Sequence, residues 1–75
     1  KMKLELFNML NNSAEADKAK ALLTLNLLSE HPAGIGDHST EDFYKNAEEA
    51  LNKLVDADDR LSTLDKYFKP ENPVI

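Results

Sequence analysis

"EDFYKNAEEALNKLVDADDRLSTLDKYF", residues 41 to 68, is the stretch whose reading decides the fold. It holds no glycine and no proline. Its apolar residues Phe43, Ala47, Ala50, Leu54, Ala57, Leu61, Leu64 and Phe68 recur in alternating steps of four and three without exception. That spacing keeps one side of a helix apolar over nearly four heptads. The alanines in the middle of the seam allow a neighbour to come close, and phenylalanines close both ends. Tyr44, Leu51 and Val55 widen the stripe, as in a bundle helix rather than a pure two-stranded coil. Ser39 followed three residues later by Asp42 resembles a capping box, with Asp in place of Glu or Gln. A helix is therefore expected from about 39 to 68. Lys69-Pro70 ends it, leaving 70–75 as an extended tail.

Upstream lies "HPAGIGDHST", residues 31 to 40, which reads as a connector. Pro32 stops the preceding helix, Gly34 and Gly36 supply a turn, and Ile35 is expected to tuck inward. The preceding segment "AEADKAKALLTLNLLSEH" is alanine-rich and free of Gly and Pro, with Ser13 as its N-cap, so a helix is expected over about 13–31. Ala21, Leu22, Leu25 and Leu28 form one stripe with Leu23 and Leu27 beside it, which predicts contact from two sides. Asn11-Asn12-Ser13 is expected to separate this helix from a short amphipathic one at about 2–10.

Joined by a short loop, the two long helices must lie antiparallel. At 1.5 Å per residue the C-terminal one overshoots its partner by about ten residues. Leu4, Leu6, Phe7 and Leu10, or a second chain, then have to cover Leu61, Leu64 and Phe68. The expected fold is all-α: an antiparallel hairpin with a short N-terminal helix, forming a small bundle. Residues 1–69 make one helical domain.

Composition narrows function by exclusion. The 75 residues include no cysteine, which removes disulfides and thiolate metal sites and fits a reducing, cytoplasmic setting. Apolar runs are too short to cross a bilayer. "KMKLELFNML" places two lysines before an apolar stretch, but Glu5 and Asn8 interrupt it and no small-residue cleavage site follows. The net charge of −5 falls entirely within 32–75, because residues 1–31 balance Lys1, Lys3, Lys18 and Lys20 against Glu5, Glu15, Asp17 and Glu30. A surface of that sign disfavours nucleic acid, whose phosphates need Lys and Arg.

The candidate chemistry is thin. Gly34 and Gly36 ahead of a helix start suggest an anion-binding turn, but the spacing of a Walker or dinucleotide motif and a nearby lysine are missing. His31, Asp37 and His38, with Glu41 and Asp42, are weak candidates for a metal cluster, unsupported by any Cys or His-x-x-x-His pair. No metal or cofactor is expected. "DADDR" at 56–60 looks like the start of a calcium loop, yet it has no glycine at its sixth position and has Tyr67 where the bidentate Glu belongs. It reads as a solvated helix face with Ala57 turned inward. Lys45–Glu49 and Glu49–Lys53 read as i,i+4 pairs. Ser13, Ser29, Ser39 and Ser62 sit at cap or surface positions with no nucleophile elbow around them. An enzyme is not expected.

The pairing of "GIGDHST" with "DFYKNAEEALNKLVDADDRLSTLDKYF" resembles short uncharacterised helical proteins of T-even-like tailed bacteriophages and their marine relatives, over residues 31–68, about half of the chain. That resemblance implies a phage protein acting in the bacterial host cytoplasm. It carries no assigned activity, so no functional residue follows from it. The sequence thus points to a small, acidic, non-enzymatic interaction protein that self-associates as a homo-oligomer, a dimer, through the seam Phe43 to Phe68. The alternative is a regulator or inhibitor docking an acidic face (Glu48, Asp56, Asp59, Asp65) on a basic host protein. A metal or anion site in the 31–42 loop is the distant third.

Overall fold

A computed structural model describes residues 2–30 and 40–69, and among these described residues there are two helices. They are α1, Leu4–Ser29, and α2, Thr40–Phe68, of 26 and 29 residues. The all-α hairpin stands, and α2 has the expected bounds. The expected break at Asn11-Asn12-Ser13 does not exist. What reads as a short helix followed by a longer one is a single continuous helix, and Ser13 is an exposed position inside it, not an N-cap.

Three residues of modest helix propensity cost at most about 2 kcal/mol together relative to alanine. Continuing the helix sets Leu10 beside Leu64, and burying one large apolar side chain recovers about 1.5–3 kcal/mol. A break would also require a second costly nucleation. α1 begins after Lys3, whose carbonyl accepts from the Phe7 N–H at 3.0 Å, with no side-chain cap. It ends at Ser29, two residues before the expected His31. Pro32, the glycine turn, Ile35, Ser39 and the 70–75 tail lie outside the described residues.

The continuous α1 removes the overhang. Two helices of nearly equal length run antiparallel: Leu10 lies beside Leu64 at one end, and Leu28 shares a groove with Asn46 at the other. Leu61 and Leu64 are thus covered from within the chain, whereas Phe68 at the tip stays 44% exposed.

The buried residues among those described are Ala14, Ala21, Ala50, Ala57 and Leu64. They belong to two rows with a spacing of seven: Phe7, Ala14, Ala21, Leu28 on α1 and Phe43, Ala50, Ala57, Leu64 on α2. Each row reads Phe-Ala-Ala-Leu. Run antiparallel, the buried alanines of the two rows come together in the middle, with the larger phenylalanine and leucine side chains toward the ends. Small side chains let the backbones approach, and the large ones fill the wider ends.

Candidate functional site

The hairpin has two long edges where α1 and α2 meet, and they differ in chemistry. Along one edge runs a groove of about 620 Å³ carrying Lys20, Lys53 and Arg60 against Asp17, Glu49 and Asp56. Arg60 is the hub. Its Nη2 donates to Asp17 Oδ2 across the hairpin at 2.7 Å. Its Nε lies 3.1 Å from Asp56 Oδ2 on its own helix, an i,i+4 ion pair.

The hydrogen bond from Arg60 holds the Asp17 carboxyl below the ordinary carboxylate range, against a smaller opposing effect of burial. The same bond raises Arg60 above its own ordinary value. Both side chains are partly exposed, so the pair fixes register more than it stabilises. Charges of both signs neutralise one another along this groove, and it concentrates neither sign for a ligand. Farther along the same edge, Leu10, Ser13, Thr63 and Leu64 line a smaller pit of about 310 Å³.

The opposite edge is apolar toward the loop end. Leu25, Ala47 and Leu54 are half-buried there, flanked by exposed Leu22, Tyr44, Leu51 and Val55. The ion pair Lys18 Nζ–Asp58 Oδ1, at 3.6 Å, closes this patch at mid-height.

The residues expected to form an interaction seam are therefore spent largely inside the chain. Ala50, Ala57 and Leu64 are buried; Phe43, Ala47, Leu54 and Leu61 are half-buried; only Phe68 is exposed. The candidate acidic face is not one face: Asp56 and Asp59 border the clefts shared with α1, apart from Glu48 and Asp65. Glu48, Asp56, Asp59 and Asp65 are all exposed, but Asp56 is engaged by Arg60 and Asp65 by Lys69 at 3.4 Å. Both are in-helix i,i+4 pairs, at positions other than the expected Lys45–Glu49 and Glu49–Lys53. Ala57 is buried, as the inward reading of "DADDR" requires.

His31, Asp37 and His38 lie outside the described residues. Among the described residues no group of three His, Cys, Asp or Glu is arranged to hold a metal ion, and no helix is long and apolar enough to cross a membrane.

The contact from two sides expected of the α1 leucines is met on one side only, and what was not foreseen is that the uncovered surface continues N-terminally past Ser13. The C-terminal half of α1 carries Leu22, Leu23, Leu25, Leu27 and Leu28, which point in nearly every direction around the helix axis. α2 covers one side only. Leu23 is 60% and Leu27 50% exposed on the side away from α2, as are Leu6 and Met9 nearer the N-terminus. The signal was present as a second run of apolar residues in phase with a helix, but it crosses Asn11-Asn12-Ser13 and becomes visible only when those residues are helical. No family model, no curated protein and no solved structure matches the chain, so none of these comparisons bears on the resemblance to phage proteins.

Proposed function

We propose that this chain is a small, acidic, non-enzymatic helical interaction protein that self-associates through apolar surface the hairpin leaves uncovered. The observation that carries the reading is the C-terminal half of α1, whose leucines point in nearly every direction yet are covered by one neighbour. A helix apolar all round belongs inside a larger assembly. Eleven large apolar side chains are exposed among the described residues, while four of the five buried apolar residues are alanines. A core that small supports little stability by itself.

The test is equilibrium sedimentation across a concentration range at low and high salt. Association that persists as ionic strength rises supports an apolar contact. A monomer at high micromolar concentration refutes the reading.

A second reading, the regulator that docks on a basic host protein, draws on α2. That helix carries Glu41, Asp42, Glu48, Glu49, Asp56, Asp58, Asp59 and Asp65 against Lys45, Lys53, Arg60 and Lys66. Charge of that density steers a cationic partner. Complex formation of this kind weakens steeply with salt, which separates it from self-association. Under the phage resemblance, both readings place the protein in the host cytoplasm.

A further inference from the structure

The outer side of α1 carries a second heptad stripe: Leu6, Met9, Ser13, Ala16, Lys20, Leu23 and Leu27, in steps of three and four. All seven are exposed. The stripe faces away from the Phe7-Ala14-Ala21-Leu28 row: Met9, Ala16 and Leu23 point farthest from α2, while Ser13 and Lys20 stand at the rim of the clefts shared with it. Its order is large at both ends and small or polar between. The seam inside the hairpin has the same order, and there two such rows pack by running antiparallel.

We infer that a second copy of this chain docks here, α1 against α1, antiparallel, with Ala16 of each copy meeting at the two-fold axis. This rests on the self-association reading and specifies its geometry. In that register Leu6 of one copy meets Leu27 of the other, Met9 meets Leu23, and Ser13 meets Lys20, every contact occurring twice as an isologous interface requires. The hydroxyl of Ser13 accepts from the Lys20 ammonium while the lysine stem lies along the apolar strip.

Charge selects both the helix and the direction. A parallel pairing sets Lys20 against Lys20, whereas the antiparallel one separates them. α1 carries Glu5, Glu15 and Asp17 against Lys18 and Lys20, so two copies of it meet nearly neutral. α2, with twice as many acids as bases, repels its own copy. The size is adequate too. From Leu6 to Leu27 the strip runs about 32 Å, and half a helix circumference makes it roughly 500–600 Å² per partner. Two such strips total roughly 1,000–1,200 Å², the size of a weak, concentration-dependent contact at the lower edge of specific interfaces.

The chain has no cysteine, so single-cysteine variants report the geometry directly. Ala16→Cys is conservative and exposed, and mild oxidation is expected to link two copies through it, whereas Leu51→Cys and Val55→Cys on the apolar edge stay unlinked. Leu23→Asp is expected to raise the dimer dissociation constant more than about tenfold while leaving the helical circular dichroism unchanged, because Leu23 lies outside the internal seam. A wild-type dimer that links through Leu51→Cys or Val55→Cys and not through Ala16→Cys overturns this geometry and leaves self-association standing. A wild-type monomer at high micromolar concentration overturns both.

Discussion

Ala57 shows how a single small residue sets the distance between two helices. It is fully buried in a molecule with almost no interior, because α1 offers Ala14 and Ala21 at the facing positions. Ala57→Leu forces the helices apart and is expected to cost about 1–3 kcal/mol, read as a lower urea midpoint. Ala19→Leu, on the exposed face of α1, leaves the midpoint near its original value.

Asp17 makes the complementary case for charge. Its carboxyl is held below the usual 3.8 by the Arg60 hydrogen bond, so the folded chain gives up that proton more readily than the unfolded one. The stabilisation is complete above the unfolded value and is lost as pH falls through the lower, folded value. Asp17→Asn is therefore expected to flatten the acid limb of a stability-against-pH curve below about pH 4, and to lower stability at neutral pH. An acid limb identical to wild type refutes the assigned role.

At the scale of elements, the seam of α2 was legible residue by residue, because an unbroken four-three step admits one reading. α1 was not. Asn11-Asn12-Ser13 has the composition of a break, and local propensity argued for one. The outcome turned on a contact distant in sequence, that of Leu10 with Leu64. Only a phase test across the supposed break, noting that Phe7, Ala14, Ala21 and Leu28 keep a spacing of seven through it, exposes the continuous helix. Proline at Asn12 distinguishes the two arrangements. In a helix interior Asn12→Pro costs about 3 kcal/mol or more; at the break suggested by composition it is tolerated. A large loss of thermal stability is expected.

At the scale of the whole molecule, the hairpin topology followed from helix lengths and a short connector, but its surface did not. The seam that stood out as an interaction surface became the inside of the chain, and the available surface moved to the back of the other helix. The reason is that apolar periodicity identifies a face to be covered and is silent on whether the cover comes from the same chain.

The repeated Phe-Ala-Ala-Leu row carries a further consequence, for pairing fidelity. Since both helices present the same order, the apolar seam alone cannot distinguish α1 from α2 as a mate. A second α2 laid where α1 belongs brings Lys53 to the place of Asp17, facing Arg60, and exchanges a hydrogen-bonded ion pair for two like charges. One partly exposed aspartate, of small weight in holding the fold together, thereby adds to the net charge of α2 in favouring α1 as the mate.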